Sequence, residues 1–252
     1  MSFVTQFPSY AVIGTEYRPT IVCNNFLSSV TYTINVFSLL FSDPPSPPRI
    51  LGLDVNEVLL SGSLKRVTCT AIAGNPLANL KWFMGDKQLQ SYYVTKDNYA
   101  SAELELIPSP GDNLQQLRCE ASNLALQQPL EETRNLVVKF APTFVKVSMN
   151  PEKPSAGRNI TLTCDTGPSN PRALVAWWHN GKKLESEKDV YVDGNYGGIV
   201  TTSQLTLAVT AEHDGTVVTC EASSEGIQKK VHDAITLSVN RKYYYFLMFS
   251  LY

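Results

Sequence analysis

The sequence lacks the short motifs that usually carry catalysis or cofactor binding. It contains no Gly-x-Ser-x-Gly, no His-Glu-x-x-His and no glycine-rich phosphate loop. Its cysteines form neither a Cys-x-x-Cys pair nor a Cys/His cluster at zinc spacing. The aspartates of residues 189–193 do not follow EF-hand spacing. We therefore expect no enzyme activity, no cofactor and no metal site, and we interpret His179, His213 and His232 as surface or loop residues.

An excess of charge of one sign is missing too. The chain has 21 basic and 23 acidic residues, which gives a net charge of −2. That balance does not favour nucleic acid or an anionic membrane surface as a partner. Long apolar runs are also absent, because Thr31 and Asn35 interrupt residues 26–41 and residues 243–249 are too few to span a membrane. The hydrophobic content of 43% predicts a packed globular chain.

The feature that stands out is an internal repeat. Each copy has a cysteine, a tryptophan thirteen residues later and a second cysteine: Cys69, Trp82 and Cys119 in the first copy, then Cys164, Trp177 and Cys220 in the second. Glu-Ala-Ser follows the second cysteine in both copies. The period of about 95 to 100 residues indicates a duplicated domain.

The local pattern within each copy predicts β-strands. Residues 102–106 and 160–164 alternate apolar and polar side chains, as half-buried strands do, and Asn180-Gly181 supplies turn chemistry. No segment keeps a 3.6-residue period over the length of a helix. Short strands with a Cys…Trp…Cys order are the signature of an immunoglobulin-like sandwich. The predicted fold class is all-β: two tandem immunoglobulin-like β-sandwiches of C2/I type, each with one inter-sheet disulfide.

The repeated cysteines are predicted to pair within each domain. The bridge of such a sandwich links its two sheets, so Cys69 should pair with Cys119 and Cys164 with Cys220, with Trp82 and Trp177 packed in the core. Loops of 50 and 56 residues give roughly 4 kcal/mol per bridge in the chain-entropy estimate. Reduced core thiols are the alternative. Structural disulfides indicate an oxidising, extracellular setting.

The segments leading to the two tryptophans have a distinctive sequence in each domain. Residues 73–82 read Ala-Gly-Asn-Pro-Leu-Ala-Asn-Leu-Lys-Trp, and residues 169–178 read Ser-Asn-Pro-Arg-Ala-Leu-Val-Ala-Trp-Trp. Leu117 and Val218 stand where many immunoglobulin domains carry a tyrosine, two residues before the second cysteine. Together these features resemble the nephrin family of adhesion receptors, of the nephrin, Sticks-and-stones and Hibris type. The resemblance extends over about residues 44–240 and is closest to interior domains of that family.

The resemblance implies a single-pass type I membrane receptor with many such domains on the extracellular side of the plasma membrane. It implies protein partners: other immunoglobulin-superfamily receptors, either identical copies or Kirre/Roughest-type receptors. An interior domain pair would act chiefly as a spacer and a lateral contact. The alternatives are another immunoglobulin guidance receptor of Kirre-like or Sidestep-like type, a secreted structural immunoglobulin protein, and the ectodomain of an enzyme-linked receptor.

The domain limits follow from the repeat. We expect the first domain at residues 44–140 and the second at 141–240, joined by a short, stiff junction at residues 140–142. Residues 1–43 and 241–252 share no repeat, and Cys23 has no partner within its segment.

These two ends have several interpretations. Residues 36–42 can be written in pyrimidine-rich codons before an acceptor site, and residues 241–243 can be written with a GTAAGTAT donor, so both ends can be translated intron. The alternatives are a disordered extension and, for the first end, a signal anchor.

Two surface features are candidate sites. Asn159 begins the sequon Asn-Ile-Thr, and strand alternation from inward-facing Cys164 turns it outward, so it is a candidate glycan acceptor. Trp178 directly follows the core Trp177 and must point to the other side of the sheet, as Phe83 does in the first domain. We interpret Trp178 and Phe83 as a possible contact face. The alternative is that the stem of Lys182 or Lys183 covers the Trp178 ring.

Overall fold

The computed structural model describes residues 42–240 and the backbone of Ile21–Asn25 (β1) and Ser28–Tyr32 (β2). Strands β1 and β2 pair antiparallel. These ten residues differ from the unstructured extension that is one interpretation of residues 1–43, because they are rich in β-branched residues that favour extended backbone. The rest of residues 1–41, and the predicted tail 241–252, lie outside the described residues.

The first sandwich consists of ten short strands. They are β3 (Arg49–Leu51), β4 (Val58–Leu60), β5 (Lys65–Ile72), β6 (Asn79–Met84), β7 (Lys87–Leu89), β8 (Tyr92–Lys96), β9 (Tyr99–Leu106), β10 (Gln116–Ser122), β11 (Leu130–Asn135) and β12 (Val137–Lys139). One sheet has the order β3-β5-β9-β8, and the facing sheet has the order β11-β10-β6-β7. Parallel pairing of β4 with β12 lies at one side of the sandwich. The two sheets therefore enclose a single core.

The second sandwich repeats this arrangement. Its strands are β13 (Val145–Asn150), β14 (Arg158–Thr166), β15 (Ala173–His179), β16 (Lys182–Leu184), β17 (Lys188–Asp193), β18 (Ile199–Val209), β19 (Val217–Ser224) and β20 (Lys230–Thr236). The sheets are β13-β14-β18-β17 and β16-β15-β19-β20. A parallel bridge between Ser155 and Asn240 takes the place of the β4–β12 pair. Three 3-10 turns complete the described secondary structure, at Pro110–Asp112, Asn195–Gly197 and Ala211–His213.

The predicted fold class is confirmed: the described chain is all-β, with two tandem immunoglobulin-like sandwiches and one inter-sheet disulfide in each. The bridges join Cys69 to Cys119 and Cys164 to Cys220, and both span 6.4 Å between Cα atoms. The buried residues form one core cluster per sandwich. Each sandwich therefore has the components of an independently packed domain.

Each core is built around its disulfide and one tryptophan. Trp82 lies directly across the strand pair from Cys119, is fully buried, and donates its indole N–H to the Ala102 carbonyl oxygen at 3.0 Å. Trp177 is placed in the same way and donates to the Ser203 hydroxyl at 3.1 Å. Both indoles therefore satisfy their one polar group while filling the core.

The position of the missing tyrosine is filled by aliphatic side chains. Leu117 and Val218 are both fully buried and lie two residues before the second cysteine of each domain. An aliphatic residue has no hydroxyl to bond across the loop, so the site contributes packing alone.

The junction between the domains is held by hydrogen bonds rather than by the chain alone. Phe140 and Asn170 exchange backbone hydrogen bonds of 2.8 and 2.9 Å. The side-chain amide of Asn170 also donates to the Val138 carbonyl oxygen at 2.8 Å. The buried Asn113 donates to the Tyr196 carbonyl at 2.8 Å. A side chain at Gly198 would meet the Phe140 ring at 2.9 Å, so this contact requires glycine. The last strand of the first domain is thus bonded directly to loops of the second.

Candidate contact surface

The two adjacent tryptophans of β15 face opposite sides of their sheet. Trp177 is fully buried against the disulfide, whereas Trp178 retains 36% of its accessible surface. On the neighbouring strands Trp178 lies opposite Thr219 of β19 and Lys183 of β16. Alternation along a strand therefore gives the two rings different surroundings, one dry and one facing solvent.

Trp178 lies beside several apolar side chains on the outer side of its sheet. The apolar residues on this side of β15, β19 and β20, together with Thr219, form what we call the Trp178 face: Leu174, Ala176, Trp178, Val217, Thr219 and Ala234. Leu174 and Val217 are exposed large apolar side chains. The same side of the sheet also carries Lys183 opposite Trp178, His232, and Glu221 paired with Lys230 at 2.8 Å. Apolar side chains grouped on one sheet face are typical of a protein contact surface.

The same face of the first domain is charged, and its aromatic ring is covered. Phe83 lies opposite Arg118 of β10, whose guanidinium carbon sits 5.0 Å from the ring centroid. Arg118 also pairs with Glu120 at 3.0 Å and with Glu131 at 3.3 Å. The Phe83 ring is therefore covered by an arginine of the neighbouring strand, which is held by two carboxylates.

The two predicted contact residues therefore have different surroundings. Phe83 is covered from its own domain, whereas no cation is stacked over Trp178 within residues 42–240. The sequence pattern did not reveal this difference, because the covering arginine lies on another strand, 35 residues further along the chain. The strand register alone brings it to Phe83.

Asn159 lies on the opposite side of the second sandwich. It is exposed on β14, in the β13-β14-β18-β17 sheet, and is paired in register with Ala208 of β18. The following Ile160 is buried, which fixes the outward direction of Asn159. A group attached to Asn159 would project away from the sandwich on the side remote from the Trp178 face.

The histidines of the second domain form a small polar cluster. His179 and His213 have ring centroids 5.1 Å apart, and His179 Nε2 lies 2.9 Å from the Thr216 hydroxyl. Burial, and then the charge of His213, lower the pKa of the His179 imidazole below its usual 6.5. His232 is exposed on β20, apart from this pair. In the part of the chain that the structure describes, no group of three or more His, Cys, Asp or Glu residues is placed to hold a metal ion.

Comparisons with known proteins match this architecture. Residues 53–129 and 145–231 both match the family of CD80-like C2-set immunoglobulin domains. Nephrin of Homo sapiens is 34% identical over 217 residues, which are 84% of this chain and 17% of nephrin. Cell adhesion molecule 2 of Rattus norvegicus is 23% identical over 188 residues, 71% of this chain and 41% of that protein. The solved structure of Rst D1-D2 has a TM-score of 0.54 at 17% identity, covering 77% of this chain and 100% of that one.

The chain therefore belongs to the immunoglobulin superfamily, with two C2-set domains in tandem. Within the superfamily it is nephrin-like, and its relatives include cell adhesion molecules. The chain spans about a sixth of the length of the nephrins, 17% in the human case. Among the residues described, no helix is both long enough and apolar enough to cross a membrane.

Proposed function

We propose that this chain forms part of the extracellular portion of a single-pass type I adhesion receptor at the plasma membrane, and that it binds other immunoglobulin-superfamily receptors. The partner is a second copy or a Kirre/Roughest-type receptor. The observation that carries the proposal is the Trp178 face: an exposed aromatic ring among aliphatic side chains in a domain whose relatives are adhesion proteins. Aromatic anchors of this kind contribute much of the binding energy at protein interfaces.

The proposed role of the first domain is different. Its equivalent surface carries a cross-strand network of Arg118, Glu120 and Glu131, and its aromatic ring is already covered. Charged side chains are disfavoured at the centre of an interface because they must lose their hydration. We therefore assign residues 44–140 a spacer role and residues 141–240 the contact role, with the bonded junction fixing the angle between them.

A glycan at Asn159 fits the same assignment. The sequon lies on an exposed strand of a domain with structural disulfides, in the setting where glycosylation occurs. Its sheet is the one remote from Trp178, so the sugar leaves the proposed contact face open. Secretion from a eukaryotic cell should give a peptide containing Asn159 with added sugar mass. An unmodified peptide in fully secreted protein would contradict this assignment.

Bead aggregation tests the contact role. Beads carrying the full chain should cluster with each other or with beads carrying a Roughest-type ectodomain. Trp178→Ala should reduce clustering about tenfold or more, since a buried interface aromatic commonly contributes 2 kcal/mol or more. Phe83→Ala is the matched control and should cluster as the parent does. Equal clustering by parent and Trp178→Ala, with both proteins folded, would contradict the proposal.

A further inference from the structure

The two domains protect their exposed edge strands differently. In the second domain β17 is fully exposed, but Asp189 and Asp193 alternate onto the side of the sheet that faces the core. Inward-pointing charges on an edge strand prevent another strand from pairing with it. The other edge strands of the first domain are either three residues long, as β3 and β7 are, or acidic, as β11 is.

Strand β8 has no inward-pointing charge, and its one charged residue is Lys96 at its end. All five of its residues, Tyr-Tyr-Val-Thr-Lys, are exposed, and none is acidic or proline. Tyr92 retains 73% of its accessible surface, and Val94 retains 37%. The strand is nevertheless firmly held, because the Tyr93 hydroxyl donates to the Ala78 carbonyl at 2.7 Å. An ordered, exposed edge of β-favouring residues is a template for a further strand.

The register of the hairpin identifies the free backbone groups. Lys96 pairs with Tyr99 across a two-residue turn, so these two residues form the closing hydrogen-bonded pair of β8 and β9. Hydrogen-bonded and non-bonded positions alternate along an antiparallel strand. The N–H and C=O groups of Thr95 and Tyr93 therefore face away from β9, where a new strand would lie.

Charge at the two ends of β8 is complementary. At the start of the strand, Tyr92, Glu103 and Glu105 line an open pocket of about 400 Å³. Arg66 contacts both carboxylates, Glu103 at 3.7 Å and Glu105 at 3.0 Å, which leaves two negative charges facing one positive charge. At the other end, Lys96 takes part in no ion pair among residues 42–240.

We propose that β8 pairs antiparallel with β8 of a second copy of this chain, about a two-fold axis at Val94. In this register Val94 faces its own counterpart, Tyr93 faces Thr95, and Lys96 faces Tyr92 beside Glu103. Each copy places its lysine at the acidic pocket of the other, and the two four-stranded sheets become one. The contact is isologous, so it closes on itself as a dimer. It uses a different domain and edge from the Trp178 face and does not rest on it.

Cysteine cross-linking tests the two-fold register. In the full chain carrying Cys23→Ser, Val94→Cys should form a disulfide-linked dimer on mild oxidation. Directly opposed residues at a non-hydrogen-bonded pair lie about 4.5 Å apart at Cα, within the reach of a disulfide. Val190→Cys is the matched control, because it lies on β17 and is 38% exposed against 37% for Val94. It should form no disulfide-linked dimer, because β17 does not lie at the proposed two-fold axis.

Charge reversal tests the recognition. Lys96→Glu should lower the yield of the Val94→Cys dimer about tenfold, because it opposes like charges. Adding Glu103→Lys to Lys96→Glu should restore the yield. Trp178→Ala should leave it unchanged, which separates this dimer from the proposed contact face. Equal cross-linking of the Val94→Cys and Val190→Cys variants would overturn the proposal. So would a Val94→Cys dimer whose yield is unchanged by Lys96→Glu or is lost with Trp178→Ala.

Discussion

The outer faces of two equivalent sheets can be compared at the aromatic residue that each carries after its core tryptophan. Phe83 in the first domain and Trp178 in the second occupy the same place after the core tryptophan, and both point away from the core. The residue opposite is Arg118 in one case and Thr219 in the other. Arginine covers its ring and brings two carboxylates with it, whereas threonine is too short to do so. On this strand pair the cross-strand residue therefore distinguishes a ring with a stacked cation from a ring without one.

The largest expected effect concerns the inward rings. Trp177→Ala should lower the free energy of unfolding of the second domain by about 3–5 kcal/mol, because it removes a fully buried aromatic and an indole hydrogen bond. Trp178→Ala should change it by less than about 1 kcal/mol. Denaturant titration of the two variants measures the difference. Equal losses would mean that the two rings do not face opposite ways.

A smaller effect should distinguish the domains by pH. The pKa of His179 is lowered on folding, so the folded second domain takes up protons less readily than its unfolded chain. The contribution of His179 to the stability of the second domain is therefore fully present when the pH is above 6.5, the usual pKa of histidine. It falls as the pH drops below that value. The first domain has no histidine. Lowering the pH from 7 to 5 should therefore lower the melting temperature of the second domain more than that of the first. Thermal melting at several pH values measures this difference.

The controls for this pH effect lie within the chain. His179→Gln should weaken the pH dependence of the second domain, whereas His232→Gln, on an exposed strand position, should not. In the first domain, hydrogen bonds from Lys65 and then from the Asp54 backbone N–H lower the pKa of Glu57 below 4.5. Its contribution is present above 4.5 and is lost only as the pH falls further. A first domain that melts earlier at pH 5.5 would contradict this order.

The smallest effect is expected at the covering arginine. Arg118→Ala removes a partly exposed ion-pair network and a cation–π contact, so the free energy of unfolding of the first domain should fall by about 1 kcal/mol. The informative result is a change of surface: Phe83 should become accessible, as Trp178 already is. An apolar fluorescent dye should then bind the variant more strongly than the parent. Unchanged dye binding would show that another group covers the ring.

The fold could be predicted from the sequence more completely than the surface contacts could. The repeated order of cysteine, tryptophan and cysteine predicts two sandwiches, because few other folds place a disulfide and a buried tryptophan at this spacing along the chain. Strand alternation likewise predicts the opposite directions of Trp177 and Trp178. The cover on Phe83 depends on the register between β6 and β10, which local patterns do not determine.

The junction between the domains likewise could be predicted only in part from the sequence. The proline of residues 140–142 predicts a stiff connection, yet the bonds that hold it come from Asn113 and Asn170, which lie in loops of different domains. Asparagines in loops are common, and only the packed structure reveals which of them cross a boundary. The β1–β2 pairing likewise departs from one interpretation of the first 43 residues.

Thr219→Arg is the most direct test of the central claim, because it gives the second domain the covering residue of the first. Placed opposite Trp178, the new guanidinium should stack on the ring as Arg118 does on Phe83. Bead clustering by this variant should fall to the level of Trp178→Ala, while its unfolding free energy stays within about 1 kcal/mol of the parent. Clustering equal to the parent by a folded Thr219→Arg protein would contradict the assignment of this face as the contact surface.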